Sequence, residues 1–325
     1  MTVDDSNDML PLLTDAEIVA ARGPRNQIRT DRPYHFLVEA EYAASGTVED
    51  VATIFLSNRE CPLRCLMCDL WKNTTRQKVD QGAIPAQIRF ALDRLPPARH
   101  VKLYNSGNFF DHQAIPREDH AEIADLVSCF DSVIVENHPN LAIQRAVDFQ
   151  TICGTQLEVA MGLETAHEAT LRRLNKRMTA QDFANACDFL RRNQIRIRTF
   201  VLLRPPGLSE DEGIRQALDS VRFAFDCGVD CCAVIPTRGG NGILEQLQAR
   251  GQFMSPQLTS LESVVAECLA WQRGRVFADL WDAEPFSSCH VCTDQRIERL
   301  RTMNLTQTVA DRIFCADCDS GASGG

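Results

Sequence analysis

The chain has 325 residues, a length that suggests one large domain or two of ordinary size. Its hydrophobic share of 44% and charged share of 24% are typical of globular proteins, and the net charge of −10 argues against non-specific coating of nucleic acid. Fourteen cysteines are unusually many, but the acidic start MTVDDSNDML lacks the features of a secretory signal, and no apolar stretch is long enough to cross a membrane. From these two observations we predict a cytoplasmic protein. In such a protein, clustered cysteines favour metal binding or redox chemistry over disulfides.

Short strand-like runs alternate with segments of helical periodicity through the middle of the chain. Six such runs are predicted, at residues 51–56, 101–105, 132–136, 157–161, 195–203 and 231–235. Their starts are separated by about the length of a strand plus a crossover helix. This alternation predicts a parallel α/β sheet, either open or curled, with fewer units than the eight of a closed barrel. Further helices are expected near residues 13–21 and over 260–273.

Three cysteines lie within eight residues directly after the first predicted strand, in the sequence NRECPLRCLMCDLW. Cys61, Cys65 and Cys68 have the spacing C-x3-C-x2-C at the end of a parallel strand, where functional loops gather. A structural zinc ion or a fully ligated iron–sulfur cubane needs four ligands. Three local cysteines without an evident fourth therefore predict an incomplete coordination shell with one reactive metal position. The alternative is a structural zinc site that uses the same spacing.

This motif resembles that of the radical S-adenosylmethionine (SAM) superfamily. The resemblance covers about residues 51–240 and implies a partial (β/α)6 TIM-type barrel. It also implies that Cys61, Cys65 and Cys68 hold a [4Fe–4S] cluster whose fourth iron binds SAM, so that a 5′-deoxyadenosyl radical can abstract hydrogen from a substrate. The chain would then comprise an acidic leader or cap (1–50), the core barrel (51–240) and a cysteine-rich, metal-binding extension ending in a flexible tail (241–325).

The family's SAM-contacting positions can be matched to further residues of this chain. Met67 stands where the family usually has an aromatic residue beside the adenine, and its thioether could pack against that ring. The sequence GLE at the end of the fourth strand is similar to that of enzymes related to methylthiotransferases and to the elongator catalytic subunit. It implies that Glu164 faces the nucleoside of SAM and that Gly162 makes room, although Glu164 could instead be a surface ion-pair residue.

The turn after the second strand, YNSGNF, stands where the family has a Gly-Gly-Glu-like turn that binds the methionyl amino group. The turn lacks the family's acid, and the alternative is an ordinary turn. Its amide and hydroxyl oxygens could accept the ammonium hydrogens, and the implied SAM-binding residues are Asn105, Ser106, Gly107 and Asn108. Glu136, which ends the third strand, is a weaker candidate than Glu164 and could instead be a structural residue.

Basic residues are concentrated around the fifth strand, where residues 170–205 hold nine Lys or Arg against two acids. This run could contact RNA phosphates or form a solvated helix face. Strand alternation places Arg198 and Arg204 on one face. If that face is the barrel interior, they would bind a carboxylate or phosphate, and otherwise they are surface charges. The Gly-rich sequence TRGGNG after the sixth strand resembles the loop that closes over the adenine or substrate.

Two C-x2-C pairs lie near the C-terminus, separated by 22 residues. Cys289, Cys292, Cys315 and Cys318 could together form a tetrahedral sulfur site. The interval slightly exceeds the usual range for a zinc ribbon. The bound group could be zinc or an auxiliary iron–sulfur cluster. The other seven cysteines lie in apolar contexts and are expected to be core residues.

Within the superfamily, the sequences around the cysteine motif, YNSGNF and MGLETAHEATLRRLNKRMT most resemble the proteins of archaeosine synthesis. This resemblance implies modification of a nucleoside in tRNA. The alternatives are a peptide- or protein-modifying radical SAM enzyme with an auxiliary cluster, and a non-enzymatic iron–sulfur or zinc sensor. The expected partners are SAM, an electron donor such as flavodoxin or ferredoxin, and tRNA or a partner protein, with no membrane.

Overall fold

The computed structural model describes residues 10–319. Its centre is one sheet of eight strands, ordered as they occur in the chain and curled into a half-barrel. The first two strands are antiparallel, and all later neighbours are parallel. The strands are β1 (His35–Tyr42), β2 (Val48–Phe55), β3 (His100–Tyr104), β4 (Ser132–Glu136), β5 (Gln156–Glu164), β6 (Arg196–Leu203), β7 (Cys231–Pro236) and β8 (Arg275–Ala278). The predicted α/β partial barrel is confirmed.

Eleven helices are found within the described residues, and those between the parallel strands cover the convex face of the sheet. Among these residues, no helix combines the length and the apolar character needed to span a bilayer. The helices are α1 (Asp15–Ala20), α2 (Ala83–Leu92), α3 (His120–Val127), α4 (Arg145–Cys153), α5 (Glu168–Arg173), α6 (Ala180–Arg192), α7 (Glu210–Asp226), α8 (Ile243–Ala249), α9 (Leu258–Ala270), α10 (Thr293–Thr306) and α11 (Ala316–Asp319).

The main core lies between the convex face and these helices. Alternate strand residues such as Ile54, Leu103 and Val135 point into it and are fully buried. Capping boxes start two of the helices: Thr179 with Asp182 begins α6, and Ser209 with Glu212 begins α7. The intervening residues on each strand face the concave side, so the same alternation lines the interior of the half-barrel.

Two strands, β1 and β8, were not predicted from the sequence. β1 lies on the edge of the sheet, is only half-buried and carries Glu39 and Glu41, so it lacks the apolar run of a central strand. Residues 43–47 form the turn of the hairpin that joins β1 to β2. β8 has only four residues, too few for a clear pattern. The sheet therefore extends into both the N-terminal segment (1–50) and the C-terminal segment (241–325).

A network of buried charges fills the amino-terminal half of the concave face. Arg198 donates through Nε to Glu158 at 2.6 Å and through Nη2 to Glu41 at 2.5 Å. Lys102 donates to the other oxygen of Glu41 at 2.5 Å, and Arg275 reaches Glu158 at 3.1 Å. We call these five residues the charged floor. Arg198 thus faces the barrel interior, which is one of the two positions considered from the sequence. Its charge is already neutralised by Glu41 and Glu158.

Arg204 does not share that position with Arg198. It follows the end of β6 with a positive φ of 54°, and its guanidinium donates to Glu210 at 2.5 Å and to the carbonyl of Ser255 at 3.0 Å. Strand alternation fails here because the backbone leaves the strand conformation at Arg204. Both arginines therefore bind groups of the chain itself.

Candidate functional site

The cysteine motif lies in the loop between β2 and α2, at the carboxyl end of the parallel strands. Burial raises the pKa of the Cys61 thiol, raises that of Cys65 to about 11 and raises that of Cys68 further. Because thiolates are the metal-binding form of cysteine, these groups need a metal to ionise at neutral pH. Each of the three thiols is near enough to the others to influence its pKa, so the loop gathers three potential sulfur donors.

The turn after β3 packs directly against this loop. A Cβ atom added to Gly107 would lie 3.2 Å from the Cβ of Cys61, so glycine permits the close approach of the two segments. Asn108 donates from Nδ2 to the sulfur of Cys61 at 3.2 Å, and its Oδ1 accepts the backbone N–H of His138 at 2.7 Å. The structure therefore brings the predicted turn and the first cysteine together.

A carboxylate of the neighbouring strand supports the backbone of this turn. The carboxylate of Glu136, at the end of β4, accepts the backbone N–H groups of Asn105 at 2.9 Å and Ser106 at 3.0 Å. Burial raises the pKa of Glu136 to about 7. Ser106 has a positive φ of 54°, which such support can stabilise. Sequence reasoning ranked Glu136 low because it lies about thirty residues beyond the turn.

The side chain of Asn105 is the clearest sign that this turn can bind a polar group. It is fully buried, yet neither its Nδ2 nor its Oδ1 has a hydrogen-bond partner in the structure. An unsatisfied buried amide costs about 1–3 kcal/mol for each unpaired group. A polar ligand bound at the turn would remove that cost.

Glu164 forms a buried ion pair with Lys176, at 2.6 Å between Oε1 and Nζ. Glu164 has a φ of 63° at a register shift in β5, which turns its side chain at the strand end. A Cβ atom on Gly162 would overlap the Glu164 carboxylate and lie 2.6 Å from Lys176 Nζ. The space left by the absent side chain of Gly162 therefore holds this ion pair.

Lys176 is a site residue that sequence reasoning missed, because it was counted among the nine basic residues of the 170–205 run. Burial alone would lower the pKa of Lys176, but Glu164 and the nearby Cys65 and Cys61 outweigh that effect and raise the pKa. The ammonium group is therefore charged and faces two of the three motif cysteines. A buried cation at this position favours anionic ligands.

The rest of the basic run does not form a continuous positive surface. Arg177 pairs with Asp15, Arg192 with Asp188, and Arg198 and Arg204 with the acids described above. Acids of the same chain thus neutralise much of the excess positive charge that the sequence shows. This distribution weakens the argument for a phosphate-binding patch.

The N-terminal segment and the Gly-rich loop cover the cysteine loop from outside. Leu66, between the second and third cysteines, is fully buried in a small apolar cluster with Leu10 and Ile18 of the N-terminal segment and Leu244 and Leu247 of α8. Met67 beside it is partly exposed.

Polar contacts fasten the same cover. Asn241, in the TRGGNG sequence, donates to the carbonyl of Leu66 at 2.7 Å, and Arg22 binds Glu60 at 2.6 Å. The predicted acidic leader thus packs against the site, and the Gly-rich loop closes over the cysteine loop.

Comparisons with known proteins agree with this geometry. No model of a known protein family matches the chain. It is 27% identical to archaeosine synthase subunit beta of Methanosarcina acetivorans over 78% of this chain and 77% of the relative. It is also 27% identical to archaeosine synthase subunit beta of Thermococcus kodakarensis, over 64% and 66% of the two chains.

Two solved structures share the fold at low sequence identity. Elp3 of Methanocaldococcus infernus, lacking its first 46 residues, matches with a TM-score of 0.51 and 13% identity over 71% of this chain and 60% of that one. SuiB of Streptococcus suis bound to S-adenosylmethionine gives a TM-score of 0.51 and 13% identity, over 72% and 50% of the two chains. The chain shares the fold of these two proteins, and the resemblance inferred from the sequence is confirmed.

Proposed function

We propose that the chain is a radical SAM enzyme in which Cys61, Cys65 and Cys68 hold three irons of a [4Fe–4S] cluster. The observation that carries this proposal is the unpartnered amide of Asn105 in a turn that contacts Cys61. The chemistry supplied by the bound groups is one-electron reductive cleavage of SAM to methionine and a 5′-deoxyadenosyl radical, with the electron coming from a donor such as flavodoxin or ferredoxin.

The residues around the motif have separate tasks in this proposal. Asn105 accepts a hydrogen bond from the methionyl ammonium of SAM, and Asn108 holds Cys61 and the turn together. Lys176 favours the methionyl carboxylate by its charge, while the second oxygen of Glu164 accepts hydrogen bonds from the ribose hydroxyls. Met67 packs beside the adenine. The apolar cover at Leu66 excludes water from the reacting atoms.

Replacing Asn105 by leucine tests the SAM-binding role of the turn. Leucine has a similar volume and removes the unsatisfied amide, so the variant should be as stable as the wild type or more stable. Its Kd for SAM should rise roughly 10- to 100-fold, because a hydrogen bond to a charged group is worth about 1.5–3 kcal/mol. Thermal unfolding and SAM titration of the reconstituted protein measure the two effects. An unchanged Kd would contradict the role given to Asn105.

We propose further that the substrate is a nucleoside of tRNA. The two curated relatives reported above are named as subunits of archaeosine synthase. Aromatic side chains also line the concave face above the charged floor: Tyr104 lies 6.0 Å from Phe55 and 6.4 Å from Phe200 between ring centroids. Flat rings of this kind can stack against a nucleobase. A tRNA or a partner protein that presents it is the expected macromolecular partner.

Formation of 5′-deoxyadenosine in the presence of different substrates tests this assignment. Reconstituted protein, SAM and dithionite should release 5′-deoxyadenosine faster with unmodified or partly modified tRNA pools than with peptide pools or without addition. The stimulation should persist across salt concentrations that weaken non-specific phosphate contacts. A yield that responds to peptides but not to tRNA would contradict the nucleoside assignment and favour a peptide-modifying enzyme.

A further inference from the structure

The two C-terminal cysteine pairs converge on one point in space. The sulfurs of Cys289, Cys292, Cys315 and Cys318 all lie within 4.8 Å of one another. Cys289 Sγ lies 3.8 Å from Cys315 Sγ, and Cys292 Sγ lies 3.7 Å from Cys318 Sγ. A disulfide requires about 2.05 Å between sulfurs. The four sulfurs are therefore too far apart for disulfide bonds and surround a common point.

The separations distinguish between the two kinds of site that the sequence left open. A tetrahedral ion with bonds of about 2.3 Å to sulfur holds its ligands about 3.8 Å apart, because the edge of a tetrahedron is about 1.6 times its centre-to-corner distance. Both measured distances match that edge. The thiolates of a [4Fe–4S] cubane each bind a different iron at a different corner of the cluster, so they must lie further apart.

The unusual spacing of the two pairs has a structural explanation. The 22 residues between Cys292 and Cys315 contain the whole of α10 and a short return segment that brings the chain back along the helix. Cys292 is the residue directly before α10, while Cys315 and Cys318 flank the first residues of α11. The helix therefore lengthens the interval without separating the ligands.

Buried charged residues surround the four sulfurs and hold the site in place. Arg296 donates from Nε to the sulfur of Cys292 at 3.1 Å, and Glu262 on α9 holds the same guanidinium at 2.6 Å. Both side chains are buried. Arg299 binds Glu262 at 3.1 Å and also donates to the carbonyl of Asp311 in the return segment at 2.8 Å. A cation next to four thiolates offsets part of the negative charge that a divalent ion leaves uncompensated.

We propose that Cys289, Cys292, Cys315 and Cys318 bind a single structural zinc ion and not an auxiliary iron–sulfur cluster. Four protein ligands close the coordination shell, which is the arrangement of structural rather than catalytic zinc. At a site of fixed geometry, zinc binds more tightly than ferrous iron. The site has no open position for SAM or substrate, so this inference is independent of the proposed radical chemistry.

The proposed ion links two segments of the C-terminal part of the fold. It fastens the start of α10 to the return segment, and α10 covers the edge of the sheet at β8. Gln307 exchanges two hydrogen bonds with the backbone of Val276, at 2.7 and 2.9 Å, and Asn304 does the same with Ala278, at 2.8 and 2.9 Å. These amides satisfy backbone groups that an edge strand would otherwise expose. The zinc site thus secures the last strand of the half-barrel.

Metal analysis of the full-length chain with the motif cysteines replaced tests the proposal without using activity. The variant Cys61→Ala/Cys65→Ala/Cys68→Ala, purified from cells, should contain about one zinc per chain and no cluster absorbance. Its zinc-edge X-ray absorption should show four sulfur neighbours at about 2.3 Å, and cobalt replacement should give the spectrum of a tetrahedral thiolate site. Adding Cys318→Ser at the exposed end of the site should abolish zinc retention, whereas adding Cys129→Ser on the surface should not.

Three results would overturn the assignment. They are a multi-iron cluster retained by the triple variant, a single iron in place of zinc after growth with both metals available, and a metal-free protein whose four cysteines form disulfides. If Cys318→Ser prevented folding, the zinc content and absorption spectrum of the triple variant alone would still decide. Failure of SAM cleavage in the wild type would leave these measurements unaffected, so the two proposals can fail separately.

Discussion

Replacing any one of Cys61, Cys65 and Cys68 by alanine is expected to reduce SAM cleavage to the background rate. Each cysteine is assigned one iron of the cluster, so the loss of any one removes a ligand that the proposal requires. Iron content and the charge-transfer absorbance of the cluster should fall together with 5′-deoxyadenosine production after anaerobic reconstitution. Because burial raises the pKa of all three thiols, removing the cluster should also leave the remaining cysteines protonated at neutral pH.

The matched control is Cys129→Ala. The sequence predicted a core residue at this position, but Cys129 is exposed, and it lies outside both cysteine sites. This variant should retain iron, absorbance and cleavage at wild-type levels. The assignment fails if a motif variant keeps its cluster and cleaves SAM normally, or if Cys129→Ala loses the cluster as readily as the motif variants do.

The charged floor predicts the largest effect of a single substitution on stability. Arg198→Met should lower the free energy of unfolding by about 3–5 kcal/mol, the cost typical of breaking a buried ion pair. Glu41 would keep only Lys102, and Glu158 only Arg275, so each buried carboxylate would lose the guanidinium that joins the two. The free energy of unfolding of Arg198→Lys should lie between those of the wild type and Arg198→Met, because lysine keeps the charge but not the guanidinium's several hydrogen bonds. Denaturant unfolding under anaerobic conditions measures the series.

The pH dependence of this effect has a defined sign. Burial alone would raise the pKa of Glu41 and Glu158, but Arg198 and the other cations outweigh it and lower both below the ordinary 4.5. The stability these carboxylates contribute is present above that value and is lost as the pH falls below it. The deficit of Arg198→Met should therefore be largest near neutral pH and shrink in acid.

A surface ion pair provides the comparison for Arg198. Arg192 pairs with Asp188 at 2.7 Å, but its side chain is 76% exposed. Arg192→Met should change the free energy of unfolding by less than about 0.5 kcal/mol at any pH, because exposed pairs contribute little. Equal effects of the two substitutions would contradict the buried network.

The sequence predicts the parallel part of the fold well because its signals are local. The six central strands are short apolar runs with helices of clear periodicity between them, and the structure has strands at all six positions. β1 escapes prediction because its Glu39 and Glu41 are charged residues that face inward. The burial of Glu41 depends on Lys102 and Arg198, which are far away in the chain, and no local pattern indicates such a pairing.

The candidate site shows the same division between local and distant information. The three motif cysteines lie within eight residues, and the YNSGNF turn is likewise one short segment, so each is visible as a local motif. The structure places Cys61 against Gly107 and Asn108. The contributions of Glu136 and Lys176 depend on contacts across the sheet. In the sequence, Lys176 looks like one more surface cation of the basic run. In the structure it is buried and forms an ion pair with Glu164.

The charged floor also closes the amino-terminal end of the concave face. Its side chains are paired and buried there, so the approach to the cysteine loop along this face lies at the carboxyl-terminal rim. A base stacked within a folded RNA cannot approach the radical position by that route while it remains in the helix. A tRNA substrate would therefore have to rotate its target nucleoside out of the stack and insert it from the rim.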